Sequence, residues 1–172
     1  ELFLDVAKQL QSLEPNYGLA KVIGNKCLVA GNYGCATQYF EEALTLTDSS
    51  TEKADIYIAM GKMESKRNNK PAARSNYRKA LAADAGNTEP YVLIGDLYYQ
   101  SFEECKKLEN QVEDRLIFIA AYEMYQRGGD SAKMRSAKSQ FPSTEEIFTA
   151  NFEKGQVMTV GCWIKEAVKL ES

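Results

Sequence analysis

The chain contains 172 residues, with 21 Lys and Arg against 24 Asp and Glu, a net charge of −3, 44% hydrophobic residues and no histidine. This length and apolar content predict a folded chain with a substantial core, and the charge lacks the clustered Lys and Arg that duplex nucleic acid requires. The absence of histidine excludes a Ser-His-Asp or Cys-His nucleophile, a histidine-ligated zinc ion and a histidine pH switch.

The N-terminal segment has an amphipathic helical pattern. Its apolar positions are Leu2, Phe3, Val6, Leu10 and Leu13. The chain starts at Glu1 rather than Met, which indicates a trimmed N-terminus, so the sequence does not report on a targeting signal. No stretch reaches the roughly 18 consecutive apolar residues of a membrane span, and membrane insertion is therefore not predicted.

A repeated pattern follows this segment. Three glycines, each preceded by an apolar residue, recur at nearly equal intervals along the chain, and these are Gly24, Gly61 and Gly95. The first two are followed, at matching distances, by a small residue, an aromatic residue and an Ala-Leu pair, namely Ala36, Phe40 and Ala43-Leu44, then Ala73, Tyr77 and Ala80-Leu81. Small residues are needed where helix axes approach to about 8 Å, and an aromatic ring fills the space beside them. The pattern therefore predicts closely packed pairs of helices.

This pattern resembles the tetratricopeptide repeat (TPR), a helix-turn-helix unit of about 34 residues. The resemblance implies an all-α, TPR-like α-solenoid (alpha-alpha superhelix) with repeats at 17–50 and 54–87 and a divergent repeat at 88–128. It also implies that residues 1–14 are the second helix of a truncated preceding repeat, since Leu13-Glu14-Pro15-Asn16 is similar to the turn that closes such units. An unrelated helical bundle with the same spacings is the alternative.

The third unit departs from the pattern after Gly95. At the position where a small residue is expected, the chain has Lys107. The pair of a small and an aromatic residue reappears later than the repeat predicts, as Ala121 and Tyr125. We therefore interpret residues 101–114 as an insertion and expect it to extend the helices beyond the solenoid.

Residues 129–172 are interpreted as a C-terminal cap of helices and a hairpin. Ser143 and Glu146 have the spacing of a capping box and predict a short helix that ends at Gly155. The stretch rich in Thr and Val that follows predicts two short β-strands with a turn near 164–166. The tail, with its Gly161-Cys162-Trp163-Ile164 stretch, is similar to the ending of uncharacterised multi-repeat proteins of Bacteroidetes, which implies a bacterial source and a periplasmic or cell-envelope location rather than a cytoplasmic one.

The four cysteines, Cys27, Cys35, Cys105 and Cys162, do not form the two-residue spacing of a zinc or redox motif. We expect them to be buried small hydrophobic residues. Their even number leaves disulfide bonds open, and Cys27 with Cys35 is the pair to test. No metal or cofactor is predicted.

A stacked helical array presents the first helices of its units on a concave surface, at positions i, i+4 and i+7 or i+8. These positions are Lys21, Asn25, Leu28, Ile58, Lys62, Ser65, Lys66, Val92, Asp96 and Tyr99. They predict a mixed, mildly basic groove that suits an acidic extended peptide or helix. The alternative is that they are ordinary solvated side chains. The carboxylate-gripping set of chaperone-binding TPR domains is matched only at Lys21 and Asn25, so that ligand is not predicted.

Catalysis is not indicated. Adjacent carboxylates occur as Glu41-Glu42, Glu103-Glu104 and Glu145-Glu146, but neighbouring residues on a helix point about 100° apart. We therefore interpret the chain as a non-catalytic scaffold that binds a protein or peptide partner. One alternative is a homo-oligomerisation module that uses the hairpin or the open N-terminal helix, with a homodimer as its product. Another is an enzyme built on the 101–114 insertion.

Overall fold

The computed structural model describes residues 2–172, which form ten α-helices and one two-stranded sheet. The elements are α1 (Leu2–Leu13), α2 (Tyr17–Val29), α3 (Tyr33–Thr45), α4 (Ser50–Lys66), α5 (Lys70–Ala83), α6 (Glu89–Tyr99), α7 (Phe102–Cys105), α8 (Gln111–Gly128), α9 (Ser131–Lys138), α10 (Thr144–Thr149), β1 (Val157–Thr159) and β2 (Ala167–Lys169). The predicted all-α class with a short C-terminal hairpin is confirmed. No helix within residues 2–172 is long and apolar enough to cross a membrane.

The chain divides into two compact units, one that ends at Asn87 and one that spans Thr88–Ser172. In the first unit, α2 packs against α3 and α4 packs against α5. The Phe40 ring lies against Gly24 and the Tyr77 ring lies against Gly61, so closely that a Cβ atom at either glycine would overlap the ring. The small and aromatic residues of the repeat thus occupy the predicted helix contacts. The division of the chain into repeats 17–50, 54–87 and 88–128 stays a prediction.

Local side chains fix where α2, α3, α4 and α5 begin. The N-cap residues each accept a hydrogen bond from a backbone N–H three residues later, and they are Asn16, Asn32, Ser49 and Asn69. The turns between paired helices contain Gly31 and Asn68 in the left-handed region, with φ of 74° and 58°. Glycine and asparagine tolerate this conformation better than other residues, which explains the breaks at these points.

In the second unit, α6 packs against α8, and Tyr125 of α8 lies against Gly95. The segment 101–114 lengthens only one of these helices: α6 ends at Tyr99, whereas α8 has 18 residues against 13 in α3 and 14 in α5. The rest of the segment is α7 and a loop. The Asp114 carboxylate closes this loop by accepting hydrogen bonds from the backbone N–H groups of Lys107 and Leu108, at 2.8 and 2.9 Å.

The predicted capping box at the start of α10 is present, since Ser143 and Glu146 satisfy each other's backbone N–H groups. The predicted end of this helix at Gly155 is wrong. The helix ends at Thr149, because Asn151 adopts the left-handed conformation and the Phe152 N–H donates to the Ile147 carbonyl. This is the hydrogen bond of a Schellman motif, with asparagine in the position that glycine usually takes.

The C-terminal hairpin pairs β1 and β2 antiparallel, with Met158 opposite Val168. The connection between the strands, 160–166, packs on α6 and the start of α7. The Trp163 ring lies 5.7 Å from the Tyr98 ring, and its Nε1 donates to Ser101 Oγ at 3.3 Å. The Tyr98 hydroxyl donates to Glu166 at 2.9 Å. A hairpin with two strands this short is marginal alone, and these contacts hold it on the second unit.

All four cysteines are paired, as Cys27–Cys35 and Cys105–Cys162, with Cα–Cα distances of 5.7 and 5.5 Å. The first bond joins α2 to α3, and the second joins the end of α7 to the hairpin connection. The expectation that the cysteines are buried small hydrophobic residues is wrong, because all four form disulfide bonds and, of the four, Cys27 alone is buried. The bond left open between Cys27 and Cys35 is present. Spacing alone could not pair residues that are 57 positions apart in the chain.

Candidate partner-binding face

Helices α2 and α4 meet through a polar contact between the predicted residue Lys21 and a carboxylate, Asp55. Lys21 Nζ lies 2.6 Å from an Asp55 carboxylate oxygen. The Tyr17 hydroxyl donates to the Glu52 carbonyl at 3.3 Å, one turn earlier on both helices. These two contacts hold α2 beside α4.

Lys21 is held by this contact. Its side chain is 31% exposed. Burial disfavours the ammonium form, but the hydrogen bonds to Asp55 and Tyr17 outweigh burial, so the pKa of Lys21 is raised. Burial also raises the pKa of the Tyr17 hydroxyl, and Lys21 opposes that rise. Lys21 therefore stays cationic at neutral pH and is engaged within the chain.

The remaining predicted residues of the first unit differ in how much surface they offer. Asn25, Lys62 and Lys66 are exposed, and Leu28 and Ser65 are half-buried. Ile58 is 6% exposed and is part of the core. The exposed members of the predicted set on this unit therefore lie toward the C-terminal ends of α2 and α4, beyond the Lys21–Asp55 pair.

In the second unit, the three predicted residues are half-buried against α8 and α9. Val92 packs against Gly128, and the Tyr99 ring lies 5.2 Å from the Phe118 ring. Asp96 accepts two hydrogen bonds from Lys133 Nζ, at 2.8 and 2.7 Å, and one from the Tyr125 hydroxyl at 3.0 Å. Burial, together with the Asp96 carboxylate, raises the pKa of Tyr125. These contacts hold α6 against α8 and α9.

Sequence reasoning missed Asp55 and Lys133 as partners of the predicted residues. In the sequence, Asp55 follows Lys21 and Lys133 follows Asp96, each at a distance of about one repeat. Each ion pair therefore joins helices that are one repeat apart within a single unit. A search for opposite charges one period apart could have found both pairs.

The alternative interpretation as an enzyme is based on residues 101–114. This segment and part of the C-terminal tail line a cavity of about 150 Å³. Its lining residues are Cys105, Lys107, Glu113, Asp114, Ile117, Thr159, Val160 and Gly161. Of its two carboxylates, Asp114 uses both oxygens on backbone N–H groups and Glu113 is exposed. No group of His, Cys, Asp and Glu within residues 2–172 is arranged to hold a metal ion.

No protein-family model and no curated protein sequence matches this chain. Two solved structures are similar to it. One is the C-terminal part of a TPR repeat-containing protein from Cytophaga hutchinsonii, at 17% identity and a TM-score of 0.49 over 80% of this chain. This chain spans 56% of that structure. The other is MamA, at 14% identity and a TM-score of 0.50, over 86% of this chain and 88% of MamA. MamA is TPR-like, so the predicted resemblance to TPR proteins is confirmed at the level of the fold.

Proposed function

We propose that this chain is a non-catalytic scaffold that binds an acidic protein segment on the exposed surface formed by Asn25, Lys62 and Lys66. The TPR-like fold supports the scaffold part of this proposal. The observation that carries the rest is that these three polar side chains are exposed, Asn25 on α2 and both lysines on α4.

The charge of this surface supports an acidic partner. The nearby carboxylates of Asp55 and Glu64 are each paired, with Lys21 at 2.6 Å and with Arg67 at 2.9 Å. Among these named side chains, the four cations Lys21, Lys62, Lys66 and Arg67 outnumber the two carboxylates Asp55 and Glu64, so their summed formal charge is positive. The Asn25 amide provides both a donor and an acceptor, which suits the backbone of an extended peptide.

The test selects random peptides displayed on phage against the immobilised chain and measures the affinity of the selected peptides by fluorescence polarisation. We expect peptides rich in Asp and Glu, with an affinity that falls as salt screens the charges. Charge reversal at both lysines, Lys62→Glu with Lys66→Glu, is expected to weaken binding at least about tenfold.

The matched control reverses two exposed lysines of the other unit, Lys138→Glu and Lys169→Glu, which changes the net charge by the same amount. Binding is expected to persist in this control. An equal loss of affinity in both double variants would show that the net charge of the chain, rather than the surface at Lys62 and Lys66, determines binding. Unchanged binding in the Lys62 and Lys66 variant would overturn the proposed surface.

A second candidate is homo-oligomerisation through α1, favoured by an exposed apolar stripe. Its five side chains are between 49% and 79% exposed, and they are Leu2, Phe3, Val6, Leu10 and Leu13. An exposed apolar stripe of this size is typical of an interaction surface. The hairpin is the weaker candidate for such a contact, because Trp163 is half-buried on its own chain.

Light scattering coupled to size-exclusion chromatography tests this candidate. A dimer that Val6→Glu with Leu10→Lys converts to a monomer would support it. A chain that is monomeric across the accessible concentrations would remove it and leave the peptide-binding proposal unaffected.

A further inference from the structure

We infer that this chain folds and works in an oxidising compartment, where a protein oxidant that carries a reactive disulfide bond introduces both of the chain's disulfide bonds. The inference depends on the cysteines alone and is independent of the partner. All cysteines of the chain are paired, and none is free among the described residues.

The pairing of Cys105 with Cys162 is a long-range arrangement. The two residues are 57 positions apart, and they come from α7 and from the connection between β1 and β2. Their Cα atoms lie 5.5 Å apart, within the range of about 4.4–6.8 Å that a disulfide bond requires. Both of the chain's cysteine pairs meet this requirement, which four unpaired small hydrophobic residues would have no reason to do.

The surroundings of the bonds indicate a structural rather than a catalytic role. Cys27 is 1% exposed and belongs to the core cluster of the first unit, so an external dithiol cannot reach it in the folded chain. The Cys105–Cys162 bond lies beside the contacts of Trp163 with Tyr98 and Ser101, and it secures the same junction between the hairpin and the helices. Neither pair has the two-residue spacing of a redox-active motif.

The exposure of the second bond points to the compartment. Cys162 is exposed and Cys105 is half-buried, so this bond lies at the surface of its unit, where small thiols and thiol reductases have access. Disulfide bonds with such access are rare where glutathione and thioredoxin keep thiols reduced, and they persist in extracellular and periplasmic spaces. A chain that keeps this bond is expected outside the reducing cytoplasm.

The chemistry is thiol–disulfide exchange with a protein that carries a reactive disulfide bond. The thiolate of one cysteine, such as the exposed Cys162, attacks the oxidant's disulfide and releases one of its thiolates. The thiolate of Cys105 then attacks the mixed disulfide, which forms the Cys105–Cys162 bond and releases the oxidant with two thiols. Each bond transfers two electrons to one oxidant disulfide, so the chain consumes two equivalents. In the first unit Cys27 is buried and Cys35 is half-buried, so the Cys35 thiolate is the one that attacks the oxidant, and the Cys27 thiolate then attacks the mixed disulfide.

The experiment isolates the protein from the organism that encodes it, with an acid quench and trapping of free thiols by a maleimide-linked polyethylene glycol. We expect no label before reduction and four labels after reduction in denaturant. Mass spectrometry of the digested protein should find peptides that join Cys27 to Cys35 and Cys105 to Cys162. Label on the protein before reduction, or a different pairing, would overturn the inference.

A matched comparison tests the role of the oxidant. The chain is produced in a bacterial cytoplasm with intact thiol reductases, and in parallel it is exported to a periplasm with and without its thiol oxidase. We expect full oxidation only in the periplasm that contains the oxidase. The variant Cys105→Ser with Cys162→Ser should take two labels after reduction. Complete oxidation of the chain in the reducing cytoplasm would contradict the compartment that we infer.

Discussion

Three glycines set the closest approach between paired helices. A Cβ atom added at Gly24 or at Gly95 would lie 2.6 Å from the ring of Phe40 or Tyr125, and one at Gly61 would overlap the Tyr77 ring. Real Cβ atoms essentially never approach a neighbour this closely, so the absence of a side chain is required at each point. The glycine and its aromatic partner are equally spaced in the sequence in the first two pairs and much further apart in the third, yet the contact is the same.

Replacing Gly61 tests this contact. We expect Gly61→Leu to lower the free energy of unfolding by about 1–3 kcal/mol, because the new side chain must displace the buried Tyr77 ring. Urea unfolding followed by circular dichroism measures the change. The double variant Gly61→Leu with Tyr77→Ala should lose less stability than the sum of the single changes.

Gly34 provides the matched control within the same unit. It is an exposed helical glycine whose nearest neighbour would lie 3.9 Å from an added Cβ. Gly34→Leu should leave stability within about 0.5 kcal/mol or raise it slightly, because leucine is the better helix former. Equal losses at Gly34 and Gly61 would show that backbone propensity, rather than the ring contact, dominates.

At the scale of elements, the helix pairs α2–α3, α4–α5 and α6–α8 share a position three residues after the glycine that contacts the aromatic ring, but the residue at that position makes a different contact in each pair. The residues there are Cys27, Glu64 and Tyr98. In the first pair, Cys27 forms the disulfide bond with Cys35. In the second pair, the Glu64 carboxylate accepts hydrogen bonds from Asn69 at 3.0 Å and from Arg67 at 2.9 Å. Both contacts brace the turn that follows. The third pair has the 101–114 segment in place of a tight turn, and Tyr98 instead binds Glu166 of the tail.

The elements that the sequence predicted best are those fixed by local chemistry. The Ser143 capping box and the contacts of the glycines with aromatic rings depend on residues whose spacing is visible in the chain. The end of α10 was predicted wrongly because Asn151, rather than Gly155, adopts the left-handed conformation that ends the helix.

The candidate site was harder to predict because exposure depends on neighbouring elements. Helical spacing placed Ile58 and Tyr99 on an inner face, but it could not show that Ile58 is buried or that Phe118 of α8 packs on Tyr99. The same limit applies to the cysteines. Cys105 and Cys162 meet only after the tail has folded onto α6 and α8, and no periodicity records that contact.

Trp163 is expected to anchor the tail. The change Trp163→Ala removes the ring contact with Tyr98 and the hydrogen bond to Ser101, and we expect a loss of roughly 2–3 kcal/mol because the ring is half-buried. Limited proteolysis by trypsin measures the effect as faster cleavage after Lys154 and Lys165. Trp163→Phe keeps the ring contact and should cost only about 1 kcal/mol. If the alanine variant resists trypsin as well as the wild-type chain does, the Cys105–Cys162 bond rather than Trp163 anchors the tail.

At the scale of the whole molecule, each compact unit contains one of the two disulfide bonds. Cys27–Cys35 lies in the unit that ends at Asn87, and Cys105–Cys162 lies in the unit Thr88–Ser172. The bonds close loops of very different length, with sequence separations of 8 and 57. A bond stabilises the folded state mainly by restricting the unfolded chain, and this effect grows with the length of the loop. We therefore expect each bond to stabilise its own unit, and we expect Cys105–Cys162 to contribute more to the free energy of unfolding than Cys27–Cys35 does.

Removal of each bond in turn tests this difference. Loop entropy predicts a loss of about 4 kcal/mol for Cys105→Ser with Cys162→Ser, against about 2.5 kcal/mol for Cys27→Ala with Cys35→Ala. Hydrogen exchange followed by mass spectrometry should show faster exchange confined to residues 88–172 in the first double variant and to residues 2–87 in the second, because local stability follows the unit that contains the bond. Reduction of the wild-type chain should reproduce both changes together. Faster exchange across the whole chain in either variant would instead show that the two units unfold as one cooperative structure, and the assignment of each bond to its own unit's stability would then be wrong.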